Sequence, residues 1–237
     1  MSVFEYDSAL LARYPKTVGG ISLAHGLHNA PTPPALLKLY RQEQEAVIHR
    51  LGDTPLSQLP ALSAWRSAFS GFGVEPTKYR SAPESLLRRL TKKGDIPSIN
   101  LLVDLGNLVS IRYALPVAIF DTRQIQGVLK VRFAGGEERF SVLNQSGDSV
   151  EHPEPGEVIF ADETGLIFAR RWCWRQSEAS AAQLDTTEAI ITVEAQHAGG
   201  RTDIEAAQTD LLTLLKENAG GTYTTGILDA ANPRLAD

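Results

Sequence analysis

The residues best able to do chemistry in this 237-residue chain are few and widely spaced. Glu194 follows the apolar run Ile190-Ile191-Thr192-Val193. It either faces water as an outward strand residue or stands at the edge of an apolar cavity. In a cavity, an unpaired carboxylate costs several kcal/mol unless a ligand or neighbour satisfies it. Asn100, Asp104 and Asn107 recur at helical spacing, setting two amides and a carboxylate along one line of an otherwise apolar helix. Such a line is either a buried network or the wall of a ligand site. Cys173 is the single cysteine, and its neighbours Trp172 and Trp174 point to a buried, inert thiol rather than an activated one. His25 and His28 are three apart, yet no third ligand accompanies them at metal spacing. They read as two solvated loop histidines, and neither a metal nor a cofactor is expected.

Larger motifs are missing. No P-loop, no Gly-rich dinucleotide turn and no Gly-x-Ser-x-Gly elbow occurs, which lowers the prior for nucleotide hydrolysis and for classical serine-hydrolase chemistry. With 28 acidic and 23 basic side chains, the net charge of -5 excludes a protein that coats nucleic acid over its whole surface. A local basic patch is still compatible with that charge. No apolar run approaches the roughly 18 residues of a membrane span. The opening residues, Met1 to Asp7, lack the pattern of a secretory signal, and one cysteine forms no internal disulfide, so a reducing cytoplasm is the expected location.

The elements that would position these residues follow from periodicity. After a short extended lead-in, the first third reads as helical. Thr32-Pro33-Pro34 starts a helix carrying Leu36, Tyr40, Val47 and Leu51, and Leu62, Trp65 and Phe69 form the stripe of a second. Ser81 with Glu84 forms a capping box ahead of Leu86, Leu87 and Leu90, and Gly94 ends that helix. The stretch from Pro97 to Tyr113 is helical as well. Beyond Pro116 the period changes to two. Leu129, Val131 and Phe133 lead to Gly135-Gly136 and back through Phe140 and Val142, predicting one hairpin. Glu157 to Phe160, the turn Asp162 to Gly165, and Leu166 to Phe168 predict another. Ala189 to Val193 is a further strand, and a helix through Ile204, Leu211 and Leu215 stops near Gly220-Gly221. The order predicts an α+β fold, N-terminal helices packed on a mainly antiparallel sheet with a C-terminal helix. One domain over 1–221 is expected, with a helical N-terminal extension (1–80), a core (81–221) and a loosely packed tail at 222–237.

The series Pro83-Glu84-Ser85-Leu86-Leu87-Arg88-Arg89-Leu90, Gly94, Ile99-Asn100, Val103-Asp104, Asn107, Pro116 and Phe120-Asp121 resembles the B3 half of the B3/B4 editing domain of the phenylalanyl-tRNA synthetase β subunit. Gly156 to Asp162 and Thr187 to Glu194 resemble the B4 half. The ordered series, about Trp65 to Asp203, carries the resemblance rather than any single motif. The helical lead-in and Arg170 to Arg175 look closer to free-standing relatives of that domain.

The resemblance implies a trans-acting hydrolase that binds the 3′ acceptor end of a mischarged tRNA between the two halves and cleaves the aminoacyl ester. A non-catalytic module binding tRNA or an amino acid is the alternative. It implies Asn107 at the pocket wall, Glu194 as the group that reads the wrong side chain, and Thr202 as a further substrate contact. Arg88, Arg89, Lys92, Arg170, Arg171 and Arg175 are the candidates for the tRNA backbone. Where the family pattern carries a histidine before its Phe-Asp, this chain has Ala118. Serine, threonine and tyrosine esters are all compatible with Glu194 as reader.

Overall fold

The computed structural model describes residues 2–142 and 150–237. Its helices are α1 (Ser8–Arg13), α2 (Pro34–Leu51), α3 (Pro60–Gly71), α4 (Ala82–Lys93), α5 (Leu101–Tyr113) and α6 (Gly200–Asn218). The strands are β1 (Val3–Tyr6), β2 (Val18–His25), β3 (Val117–Asp121), β4 (Val128–Phe133), β5 (Phe140–Ser141), β6 (Val150–Glu151), β7 (Val158–Ala161), β8 (Ile167–Arg170), β9 (Arg175–Gln176), β10 (Glu188–Ala195), β11 (Thr222–Leu228) and β12 (Arg234–Ala236).

Asn100 starts the helix that organises one half of the molecule. Its side-chain oxygen accepts the Val103 N–H at 3.1 Å, making it the N-cap of α5, and Ala114 in the left-handed region ends that helix. Asp104 is buried and accepts hydrogen bonds from the Thr32 hydroxyl (2.6 Å), the Ser98 hydroxyl (2.5 Å) and the Ile99 N–H (2.9 Å). The Asn100 amide donates to the Ala182 carbonyl at 2.9 Å. Two members of the polar line therefore tie the start of α5 to its neighbours. Gly106 lets α5 settle on β3, because a side chain there would press on Ile119.

Two sheets lie behind α5. One has the order β11-β2-β10-β3 and is antiparallel throughout; the other runs β12-β1-β4-β7-β8-β9, with only β1 and β4 parallel. Alternation along β10 sorts its side chains between two cores. Ile191, Val193 and Ala195 join Leu102, Leu105 and Val109 of α5 and Ile204 and Leu211 of α6. Ile190 faces the other way and joins Phe4, Tyr6, Phe120, Phe160 and Trp172 in the space between the sheets. The result is three layers, α2, α4, α5 and α6 on the four-stranded sheet and the six-stranded sheet behind it, with α1 and α3 adding Leu10, Trp65 and Phe69 to the core between the sheets. This is the α+β arrangement expected, with α6 as the last helix. Among the described residues, no helix is long and apolar enough to cross a membrane.

Three expectations are corrected. The first third is not helical throughout: Val18–His25 is a strand in the interior of the four-stranded sheet. Six of its eight residues are buried, so no polar alternation marks it, and Gly19-Gly20 resembles a turn. Leu129 to Val142 does not form one hairpin. β4 pairs with β1 and β7, while Phe140–Ser141 pairs with Val150–Glu151. The intervening glycines bind a side chain instead, since the Glu138 carboxylate accepts the Gly135 and Gly136 N–H groups at 2.9 Å. Residues 222–237 are not a loose tail. β11 pairs with β2 along its whole length and β12 pairs with β1. The hairpin of β7 and β8 forms as expected, with a register irregularity at Phe160/Ala161.

Candidate functional site

Glu194 sits near the end of β10 on the face turned toward the six-stranded sheet, two residues on from Thr192 and four from Ile190. It is 1% exposed. Two donors reach the same oxygen: the Tyr6 hydroxyl at 2.7 Å and the Trp172 indole N–H at 3.0 Å, both to Oε1. Among the described residues no donor reaches Oε2. Burial pushes the Glu194 pKa up to about 7, and the hydrogen bonds from Trp172 and Tyr6 oppose that rise. Burial and the Glu194 charge raise the Tyr6 phenol well above its ordinary pKa, so it remains a donor.

Both donors come from the opposite sheet. Tyr6 ends β1, where Phe4 and Tyr6 point inward and Glu5 points out. Trp172 follows β8 in an unusual backbone: Arg171 (φ 46°) and Trp172 (φ 61°) are consecutive left-handed residues without being glycine. Each costs on the order of 1–3 kcal/mol, so the surroundings must impose the conformation. The buried Glu157 does so, accepting the Arg171 N–H at 3.0 Å and holding the Arg170 guanidinium at 2.9 and 2.8 Å. The Trp172 N–H then reaches the Val158 carbonyl at 2.6 Å. The strained pair turns the Trp172 indole inward and sets the Arg171 guanidinium, mostly buried, over the Tyr79 ring at 3.8 Å and the Trp174 ring at 4.4 Å.

A cavity of about 60 Å³ adjoins Glu194, walled by Ala118 and Phe120 of β3, Phe160, Ala169, Trp172, Cys173, Trp174, Gln176 and Thr192, with Ala82 at the start of α4. Burial and the Glu194 charge push the Cys173 thiol up, which makes it a poor nucleophile. Ala118 presents only a methyl group to this cavity.

Asn107 is elsewhere. It lines a cavity of about 420 Å³ with Val103, Gly106, Val117, Ile119 and Ala181, on the helix side of the same sheet. Glu194 and Asn107 are therefore separated by β3, not gathered in one cleft. β3 is an edge strand, and the two cavities share Val117 and Gln176 as they pass round it. The Gln176 amide donates to the Ile119 carbonyl at 2.8 Å across that edge. Thr202 lies in α6 beside a third cavity, of about 580 Å³, with His197, Asp203 and Arg112, and meets neither Asn107 nor Glu194.

The basic candidates divide by environment. Arg88 and Lys92 are exposed on α4, and Arg89 pairs with Asp95 at 3.3 Å. Arg175 is half-buried against Trp174. Arg170 is 4% exposed and held by Glu157 and Glu151, so it serves the fold and offers nothing to a phosphate. His25 lies at the end of β2, its ring beside Asp237, while His28 is exposed. Tyr6 was missed from sequence, although the inward alternation Phe4-x-Tyr6 was a signal for it.

Residues 64–208, more than half of the chain, match the B3/4 domain family. The phenylalanine–tRNA ligase beta subunit of Bradyrhizobium diazoefficiens is 33% identical over 118 residues, which is 50% of this chain and 14% of that protein. That of Shewanella oneidensis is 28% identical over 123 residues, 52% of this chain and 15% of that protein. The match thus spans a small part of these relatives' length. A crystal structure of an N-terminal fragment of the phenylalanyl-tRNA synthetase beta subunit from Pyrococcus horikoshii covers 94% of this chain and 53% of that one, with a TM-score of 0.48 and 13% identity. The chain belongs to the B3/4 domain family and is related to the beta subunits of phenylalanyl-tRNA synthetases.

Proposed function

We propose that this protein hydrolyses mischarged aminoacyl-tRNA in trans, with the side chain of the esterified amino acid read by Glu194. The observation that carries the reading is the half-satisfied carboxylate: Oε1 is held by Tyr6 and Trp172, while Oε2 lacks a partner among the described residues. An acceptor left with free lone pairs beside a cavity is paired by a hydroxyl-bearing ligand and left unpaired by an apolar one. The adjoining cleft beside Asn107 then takes the terminal nucleotide, reached round the edge of β3. Arg88 and Lys92 stand about 10–15 Å along α4 from Ala82 at the cavity, placed for phosphates further back in the acceptor strand.

In the reaction, a water oxygen attacks the ester carbonyl carbon, the bond from that carbon to the ribose oxygen breaks, and the ribose hydroxyl leaves with the proton from water. Free amino acid and deacylated tRNA result. The ester is already activated, so positioning the water and stabilising the oxyanion suffice, and a ribose hydroxyl is able to orient the water.

A second reading is a non-catalytic module that binds the charged end without cleaving it, favoured by Ala118 on the cavity wall. Incubating a panel of mischarged tRNAs with the protein and with Glu194→Ala separates the two. Loss of ester above the spontaneous rate, abolished in the variant, supports hydrolysis. Retained esters with retained tRNA binding support the module.

A further inference from the structure

We infer that the Glu194 cavity reads a small hydroxylated side chain, the size of serine or threonine, and that Trp172 sets the limit by occupying the space a tyrosine ring would need. The inference rests on the ester-binding reading above and narrows it to a substrate class.

Volume gives the first argument. An enclosed water needs roughly 10–15 Å³, so a cavity of about 60 Å³ offers about four to six water-sized positions. A hydroxymethyl or hydroxyethyl group fits in that space. A phenol ring with its methylene does not.

Rigidity gives the second. The Trp172 ring is wedged edge-on against Trp65 at 5.1 Å (84°) and Tyr14 at 5.3 Å (74°), and the opposite wall is the Phe120–Phe160 pair at 5.1 Å. Close-packed interiors of this kind do not open by small adjustments. Widening the cavity would need the indole to leave both Trp65 and Glu194, against a backbone fixed by Glu157.

Polarity gives the third. Glu194 and Thr192 are the nearly fully buried polar residues of a mostly apolar wall, and Arg175 and Gln176 add polar groups to it. An alanine or valine side chain would shut the Glu194 Oε2 away from water and leave it unpaired, whereas a hydroxyl donates to it. A site built to pair a hydroxyl discriminates strongly against the analogue lacking one. Size therefore excludes tyrosine, and the carboxylate excludes the aliphatic side chains.

The test uses the intact protein and non-hydrolysable 3′-aminoacylamino analogues of the terminal adenosine, carrying seryl, threonyl, alanyl, valyl and tyrosyl groups, with binding read by calorimetry. The matching esters on one tRNA are followed for hydrolysis. Seryl and threonyl analogues are expected to bind at least about tenfold more tightly than the other three. Trp172→Leu should gain tyrosyl relative to seryl binding, and Ala118→Leu, which fills the cavity from the other wall, should lose seryl and threonyl binding. If Trp172→Leu does not fold, Ala118→Leu carries the test. Tyrosyl binding equal to seryl in the native protein overturns the size limit while leaving hydrolysis to its own assay. Selective seryl binding without turnover supports the size limit and overturns the deacylase reading. Absence of binding by every analogue overturns both.

Discussion

Gly19 stands directly behind the Tyr6 hydroxyl: a Cβ at position 19 would overlap the phenol that donates to Glu194. Gly19 is also the residue paired with Glu194 across the β2–β10 ladder. The glycine keeps open the approach by which Tyr6 of the six-stranded sheet reaches the Glu194 carboxylate of the other.

Gly19→Ala is therefore expected to push Tyr6 away from Glu194. Overpacking together with a lost buried hydrogen bond should lower stability by about 1–3 kcal/mol in urea or thermal unfolding. Gly19→Ala in a Tyr6→Phe background should cost less than in the native chain, because the clashing oxygen is gone. Equal costs in the two backgrounds would contradict this contact.

Glu194 links stability to pH. Its pKa rises from an ordinary 4.5 to about 7 on folding, so between these values the folded state holds a proton that the unfolded state has released. Stability then falls as pH rises from about 4.5 to about 7, by about 3 kcal/mol in all, and levels off above that. Glu194→Gln should remove this slope from the unfolding curve. A slope that survives in the variant would assign it to other groups.

Glu157→Gln should be among the most damaging polar substitutions. It weakens the hold on the buried Arg170 guanidinium and on the Arg171 N–H that keeps the left-handed pair in place. A loss of about 3–5 kcal/mol is expected, with Trp172 released from Glu194 and its fluorescence shifted to the red. An unchanged emission spectrum would show that Glu157 does not hold the indole.

Asp104→Asn separates support from recognition. The carboxylate accepts from Thr32, Ser98 and Ile99 and lies outside the Glu194 cavity. Stability should drop by about 1–3 kcal/mol while affinity for a seryl analogue is unchanged at a temperature where the variant is folded. A parallel loss of affinity would make α5 part of the recognition machinery.

On the proposed tRNA-binding reading, Arg88→Ala and Lys92→Ala should each weaken tRNA binding and lower the salt dependence by about one unit of slope. Exposed as they are, each should alter stability by less than about 0.5 kcal/mol. Binding with an unaltered salt slope in both variants would take α4 out of the interface.

Legibility in the sequence followed the range of the interactions. α5, α6 and the β7–β8 hairpin were readable because periodicity and turn residues act over a few positions; the cap at Asn100, which starts α5 at Leu101 rather than at Pro97, was not read from sequence. Glu194 was readable as an unusual carboxylate after an apolar strand, and the resemblance suggested the reading role proposed for it. Its partners were not, because Tyr6 lies 188 positions away and only pairing between sheets unites them. β2 escaped for a related reason, as a strand covered on both faces has no alternating pattern to show. Asn107 was placed with Glu194 because family position orders residues along the chain and does not say on which side of an edge strand each one falls.

The pairing of β11 with β2 and of β12 with β1 has a kinetic meaning. Tyr6 stands on β1, so the strand that presents it is flanked by residues made more than two hundred positions later. Contacts this remote in sequence form late and slowly. A nascent or truncated polypeptide lacking β12 should carry most of its hydrophobic interior before the strand that presents Tyr6 to Glu194 is flanked, so completion of the Glu194 cavity is expected among the last events of folding.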